Sequence, residues 1–270
     1  MPKYEIKKEI YPFLGGGIIK ITSSVKSNNI IEEEINLLRD IKDKRDNKTG
    51  YTEKEKYIQI AFNNDLNSAY RIIPNLPHTN KIWIEVGTPL IKREGIRGIS
   101  AIRAIWGGKI VADLKTIDGA VEEVRLAYSA GASGATVLGS STIETLDNFI
   151  EECDRLGIDS MIDMIGVESP LKVLRKIKRK PKIVILHKGR DEENTRGKRI
   201  PYKEINRIKS KYDVLIAAAG GLDIKEAASA IFNGANIVIV NIVSYGSPWR
   251  GIVDDNNITK MVYEFLKIIN

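Results

Sequence analysis

The 270-residue sequence predicts an α/β fold: a (β/α)8 TIM barrel with an N-terminal extension. From residue 57 onward, short β-branched runs alternate with longer segments of helical period. The predicted strands span 57–62, 81–86, 109–114, 134–139, 159–164, 182–187, 213–218 and 236–241. Eight strand–helix units favour a closed barrel over a doubly wound sheet, the second possibility, and no G-x-G-x-x-G follows the first strand.

Residues 1–55 do not follow this alternation and form the predicted extension, whereas residues 56–270 form the predicted barrel. Within the extension, GGGIIKITSSV (15–25) is a candidate strand. IIEEEINLLRDIKDK (30–44) places its apolar residues on one helical face. A separate domain of this size would be only marginally stable, so we expect an elaboration that packs on the barrel or at a subunit interface.

Composition narrows the class of protein and its partners. The chain is 43% hydrophobic, yet no apolar run reaches the roughly 20 residues of a membrane span, and the first ten residues lack a signal-peptide core. We therefore expect a cytoplasmic protein without a membrane partner. The only cysteine, Cys153, lies in a helix-like segment and is expected to be a buried or partly buried structural thiol rather than a nucleophile.

A net charge of +7 suits a phosphorylated substrate and would also suit weak nucleic-acid binding. The densest basic run, KVLRKIKRKPK (172–182), has apolar residues at helical spacing and no interleaved aromatic side chains. This pattern favours a solvated helix face, so we expect no nucleic-acid partner.

Charged residues follow several of the apolar strands. In IVADLKT (110–116), Val111, Asp113 and Lys115 share one face, and Glu85 comes at the end of the second apolar run. His187 ends the sixth run. Because active sites of barrels collect at the carboxyl ends of strands, these side chains are predicted to meet at the barrel mouth.

Each of these residues also has a purely structural interpretation. Asp113 and Lys115 could form an ion pair, Glu85 could hold a loop amide, and His187 could be part of the scaffold. Their convergence on one rim favours a functional site. Two carboxylates, Glu85 and Asp113, suit Mg²⁺, a hard cation that keeps waters and takes ligands from substrate.

Several motifs carry a family resemblance: EVGTPLIKREG (85–95), ADLKTIDG (112–119), GATVLG (134–139), LHKGRDEE (186–193) and AAAGGLD (217–223). They resemble the orotidine monophosphate decarboxylase suprafamily over about residues 56–245. Within it the chain is most similar to 3-hexulose-6-phosphate synthase and 3-keto-L-gulonate-6-phosphate decarboxylase. True orotidine monophosphate decarboxylases carry Lys where this chain has Glu85.

The resemblance implies a magnesium-dependent reaction of a sugar phosphate through an enediolate. It implies that Glu85 and Asp113 hold Mg²⁺, that Lys115 adds positive charge beside the reacting oxygen, and that His187 moves the proton. It also implies a homodimer with composite active sites, in which Asp118 reaches the partner's site.

For substrate binding, the resemblance implies that Gly220 and Gly221 cradle phosphate through their backbone N–H groups. Two positions depart from the family pattern. Asn63 stands where the first strand usually ends in Asp, and Asn241 with Ile242 stands where Gly-Arg is typical. Asn63 and Asn241 remain candidates for binding substrate, and Arg250 is a candidate replacement for the missing Arg.

Three functions follow from this resemblance and its departures. The first is an aldolase that joins formaldehyde to a pentulose 5-phosphate or runs in reverse. The second is a decarboxylase of a 3-keto sugar acid phosphate, since Arg190 follows His187 at the spacing of that branch, where the Arg positions a proton-donating water. The third is a divergent barrel with another phosphorylated ligand or no catalysis.

Overall fold

The computed structural model describes residues 10–11, 18–19, 55–193, 195, 197 and 199–269, and from residue 55 onward the chain forms a closed (β/α)8 barrel. The strands are β1 (Tyr57–Phe62), β2 (Ile82–Val86), β3 (Ile110–Thr116), β4 (Gly134–Leu138), β5 (Asp159–Asp163), β6 (Ile183–His187), β7 (Leu215–Ala219) and β8 (Ile237–Val243). The helices are α1 (Leu66–Ile72), α2 (Thr88–Glu94), α3 (Ile96–Ile105), α4 (Ala120–Ser129), α5 (Ile143–Leu156), α6 (Pro170–Leu174), α7 (Lys203–Lys209), α8 (Ile224–Phe232) and α9 (Ile258–Ile269). Two 3₁₀ turns, Ile73–Asn75 and Arg190–Glu192, and a short strand, β9 (Ile252–Val253), lie between them.

The barrel closes through β8, which pairs in parallel with both β1 and β7. Ile237 of β8, for example, lies opposite Tyr57 on one side and Ala217 on the other. Each of the remaining strands pairs with the next along the chain. Because all eight run in the same direction, their carboxyl ends meet at one rim.

The barrel interior is filled by apolar side chains from alternate strand positions. Trp83 and Val111 belong to this buried cluster, as the predicted inward face of Val111 requires, and the rings of Trp83 and Tyr57 lie 4.7 Å apart between centroids. The cluster also includes Met161 and Ile239. The interior is therefore a packed core, which leaves space for a ligand only near the rim.

All eight predicted strands are confirmed, and no bound differs by more than two residues from its prediction. The largest extensions, of two residues, are at the ends of β3 and β8, and β3 continues to Thr116 through an irregularity in its pairing with β4. Cys153 is fully buried in α5, as predicted for a structural thiol. None of the helices described between residues 66 and 269 combines the length and apolar character that a bilayer crossing requires.

The predicted helix across 172–182 is wrong in its extent. Helix α6 ends at Leu174, and the basic residues that follow are exposed outside any helix. Asp147 on α5 accepts the backbone N–H groups of Lys178 and Arg179, which therefore need no helical partner. Pro181 also disfavours helical geometry in the residue before it.

The N-terminal extension is described only at two short strands. Ile10–Tyr11 pairs antiparallel with Ile18–Ile19, so part of the candidate strand at 15–25 is extended. The candidate helix at 30–44 lies outside the described residues.

Candidate active site at the barrel mouth

The carboxyl ends of the strands surround a cavity of about 210 Å³. Its lining includes eight of the side chains and glycines proposed from the sequence: Asn63, Glu85, Asp113, Lys115, His187, Arg190, Gly220 and Asn241. Asp118 and Gly221 are not among the lining residues. The structure thus brings together most of the predicted site.

An irregular end of β3 positions Lys115. The pairing of β3 with β4 shifts register between Ala112 and Thr116, and Lys115 has a φ of 48°, the only positive φ of a non-glycine residue in the described part of the chain. Its backbone N–H donates to Thr136 Oγ1 at 3.0 Å. A left-handed backbone costs a lysine about 1–3 kcal/mol, and such strain persists where the surroundings fix it, often at active sites.

Lys115 bridges two carboxylates. Its Nζ lies 2.9 Å from each carboxylate oxygen of Asp113 and 3.0 Å from Oδ2 of Asp163. Burial opposes the charge on Lys115, but Asp113, Asp163 and Glu85 outweigh it and raise its pKa above the usual value. Lys115 is therefore a fixed cation, suited to stabilise negative charge and unsuited to accept a proton.

Asp113 receives hydrogen bonds from two further side chains. Thr88 Oγ1 donates to its Oδ2 at 2.8 Å, and Thr136 Oγ1 donates to its Oδ1 at 2.9 Å. Sequence analysis missed both threonines. Thr88 follows the end of β2 and Thr136 lies within β4, and neither carries the charge that makes Glu85 and Asp113 conspicuous in the sequence.

Asp163, at the end of β5, is the most informative residue that sequence analysis missed. Its side chain is 1% exposed and its carboxylate contacts both Lys115 and His187. Burial opposes its charge, but His187 and Lys115 hold its pKa well below the usual range. The signal was present, because Asp163 shares the inward face of Met161 and directly follows an apolar run, as Asp113 follows residues 110–112.

His187 is held in one orientation by Asp163. Its Nδ1 lies 2.9 Å from Oδ2 and 3.0 Å from Oδ1 of Asp163, and Oδ1 also accepts the backbone N–H of Ile165. An imidazole that donates from Nδ1 to a carboxylate keeps Nε2 available for a ligand. His187 can therefore transfer a proton at the cavity.

Glu85 is buried beside a like charge. It is 6% exposed, and Gln59 Nε2 donates to its Oε2 at 2.5 Å. Burial and the nearby Asp113 carboxylate raise the pKa of Glu85 to about 8, against the attraction of Lys115 and the Gln59 bond. Sequence analysis also missed Gln59, which lies on β1 with 0% exposure.

The donors at Glu85 and Asp113 fit a divalent cation. Asp113 disfavours the charged form of Glu85, and a cation between the two carboxylates would relieve that repulsion. Both supply hard oxygen atoms, which Mg²⁺ prefers. In the described ranges, no group of three or more His, Cys, Asp or Glu residues could hold a metal, and this pair supplies two carboxylates.

Asn63 and Asn241, both flagged from the sequence, contact each other. Asn63 Nδ2 donates to Asn241 Oδ1 at 3.0 Å, which joins β8 to the residue after β1 at the rim. Asn63 also packs on Gly87, where a Cβ would lie 2.1 Å from its Oδ1. The two departures from the family pattern thus form one amide pair beside the cavity.

The predicted phosphate loop follows β7. Gly220 and Gly221 have φ values of 105° and 63°, a backbone that favours glycine. Ile242, at the expected Arg position, is 2% exposed within β8. The guanidinium of Arg250 lies 3.9 Å from Asp223, two residues beyond Gly221, so Arg250 is near the loop without lining the cavity.

Asp118 lies two residues beyond β3 and is exposed. It does not reach the cavity of its own chain. Its role at a partner's site stays a prediction.

Comparisons with known proteins agree on the kind of barrel. The chain is 40% identical over 190 residues to "Bifunctional enzyme Fae/Hps" of Methanocella arvoryzae, an alignment that covers 68% of this chain and 48% of that enzyme. The chain spans about half the length of the curated relatives it matches.

Two solved structures share the fold. The 3-hexulose-6-phosphate synthase from Salmonella typhimurium has a TM-score of 0.69 at 24% identity and covers 79% of this chain and 98% of its own. The 3-keto-L-gulonate-6-phosphate decarboxylase from Vibrio cholerae has a TM-score of 0.63 at 21% identity and covers 80% and 97%. The resemblance inferred from the motifs is confirmed. The chain belongs to the orotidine 5′-phosphate decarboxylase / HUMPS family, whose model matches residues 56–241.

Proposed function

We propose that the chain is a lyase of the 3-hexulose-6-phosphate synthase type, which condenses formaldehyde with a pentulose 5-phosphate or catalyses the reverse reaction. The observation that carries this proposal is the linked set Asp113–Lys115–Asp163–His187, which places a fixed cation beside an oriented imidazole. The relatives named Fae/Hps and 3-hexulose-6-phosphate synthase support it.

The residues divide the chemistry between them. His187 Nε2 takes the proton from C1 of the pentulose, next to the ketone at C2. Lys115 stabilises the negative charge that develops on the ketone oxygen, and Asp163 keeps His187 in position. C1 then forms a bond to the formaldehyde carbon, and the formaldehyde oxygen takes up a proton to give the new hydroxyl group.

Glu85 and Asp113 would hold Mg²⁺ when it is bound. The cation would polarise the ketone and lower the cost of forming the enediolate. Asn63, which has no basicity, would orient a substrate hydroxyl, and the N–H groups around Gly220 would face phosphate.

A decarboxylase of a 3-keto sugar acid phosphate is the second candidate. Arg190 lines the cavity three residues after His187, and this placement favours such a reaction because a cation beside the imidazole can position a proton-donating water. The family likeness to 3-keto-L-gulonate-6-phosphate decarboxylase supports it at the level of the fold.

Product analysis tests the two candidates together. We expect formaldehyde release from 3-hexulose 6-phosphate with Mg²⁺ and little release after chelation. Release of CO₂ from 3-keto-L-gulonate 6-phosphate, without formaldehyde release, would favour the second candidate. Inactivity on both substrates would favour a barrel with another ligand.

We further propose a homodimer in which Asp118 completes the partner's site, and mixing two inactive variants tests it. Subunits with Asp118→Ala and with His187→Ala should each be inactive alone. Random reassociation should restore about a quarter of wild-type activity, because half of the dimers then carry one intact site out of two. Equilibrium sedimentation of an active monomer would contradict this proposal.

A further inference from the structure

Glu193 lies against the predicted phosphate loop. A Cβ on Gly221 would lie 2.7 Å from Glu193 Oε2 and 2.9 Å from its Cδ, so the carboxylate sits directly over the Gly221 backbone. Lys188 packs on the neighbouring glycine in the same way, with its carbonyl oxygen 1.9 Å from a Cβ built on Gly220. The residues after β6 therefore cover both glycines.

The position of this carboxylate has the character of an anion site. Burial raises the pKa of Glu193, while the backbone N–H of Arg250 and the charges of Arg190 and Lys188 favour its ionised form. Arg190 in turn stacks on Trp249, with its Cζ 5.6 Å from the ring centroid. Two loops, after β6 and after β8, thus direct cations and a backbone donor towards one carboxylate.

One oxygen of this carboxylate lacks a donor among the described residues. Its Oε2 is buried and accepts no hydrogen bond from any residue that the structure describes. A buried oxygen without a donor costs free energy that a better-matched group would recover. A phosphate oxygen in this place could accept from Arg250 and from the loop amides at once.

We propose that Glu193 occupies the phosphate position in the ligand-free protein and determines affinity and specificity by competing with the phosphate group of the substrate. This inference rests on the proposed function, which identifies the substrate as a phosphate monoester. Two anions cannot share the space over Gly221, so Glu193 rotates away when phosphate binds, and its displacement weakens binding. Arg250 then supplies through its backbone a donor in place of the Arg that Ile242 replaces.

Titration calorimetry with inorganic phosphate tests this competition on the full chain. Glu193→Gln keeps the shape without the charge, and Glu193→Ala also clears the space. Both variants should bind phosphate about tenfold more tightly than wild type, because phosphate no longer has to displace the Glu193 carboxylate from its site. Asp191→Asn removes the same charge from an exposed neighbouring position and should leave the dissociation constant within about twofold of wild type.

The proposal would be overturned if both Glu193 variants bound phosphate as wild type does or more weakly. It would also be overturned if none of the proteins bound phosphate. An equal gain in Asp191→Asn would also overturn it, since net charge would then explain the effect. Melting temperatures within a few degrees of wild type exclude misfolding, and agreement between the two Glu193 variants guards against an effect of one replacement. The readout does not require turnover, so a gain in affinity without lyase activity would count against the proposed function alone.

Discussion

Replacing Lys115 by Met is expected to abolish turnover and to lower the stability of the protein. The Nζ of Lys115 lies within 3.0 Å of both Asp113 and Asp163, and its loss leaves two buried carboxylates without their shared cation. Breaking a buried charge set in this way costs about 3–5 kcal/mol. Loss of the positive charge beside the developing oxyanion should lower kcat by at least about a hundredfold.

Thermal melting and steady-state kinetics measure the two effects on the same preparation. Lys172→Met, at an exposed position on α6, is the matched control and should change neither. A Lys115→Met protein with wild-type turnover would remove Lys115 from the mechanism. Lost turnover with an unchanged melting temperature would contradict the buried charge network.

Glu85→Gln, in contrast, is expected to abolish turnover without lowering the stability of the protein. Glu85 is one of the two carboxylates proposed to hold Mg²⁺, and an amide is a much weaker ligand for a hard cation. The folded protein, however, favours a neutral group at this position, because burial and Asp113 raise the pKa of Glu85 to about 8. A neutral amide should therefore be tolerated.

This raised pKa also predicts how the stability difference depends on pH in the metal-free protein. Between the usual carboxyl pKa and about 8, the folded wild type holds a proton that the unfolded chain releases, so its stability falls as pH rises through this window. The variant Glu85→Gln has no titrating group at this position, so its stability does not fall in this way as pH rises. Its melting temperature relative to wild type should increase from pH 5 to pH 8.

Melting curves in EDTA across this range check the pH dependence, and the exposed Glu122→Gln is the control, with no trend expected. Retained turnover in Glu85→Gln would remove the metal proposal. A melting temperature that falls relative to wild type as pH rises would contradict a buried, proton-favouring Glu85.

The sequence allowed the barrel and most of its rim to be predicted because both follow from simple periodicities. Alternation along a strand placed Asp113 and Lys115 on the inward face, and parallel strands brought Glu85 and His187 to the same end. The cavity contains all four. Such residues stand out because a charge at the end of an apolar run is conspicuous.

Residues whose role depends on a contact between distant strands could not be predicted in the same way. Gln59 matters only because β1 places it against Glu85, and Thr136 only because β4 places it against Asp113. Lys115 also adopts a left-handed backbone that no propensity predicts. Asp163 is different, because it shows the same pattern as Asp113. Each is a carboxylate that follows an apolar run on the inward face of its strand.

The central claim is that the site at the barrel mouth removes a proton from the carbon beside a ketose carbonyl. Incubating the protein with a pentulose 5-phosphate and Mg²⁺ in D₂O, without formaldehyde, and following C1 by proton NMR tests this step in isolation. We predict enzyme-dependent exchange of one C1 hydrogen for deuterium, which is lost in His187→Ala and in Glu85→Gln. Full retention of both C1 hydrogens, at sugar phosphate concentrations that saturate the wild-type protein, would contradict the account.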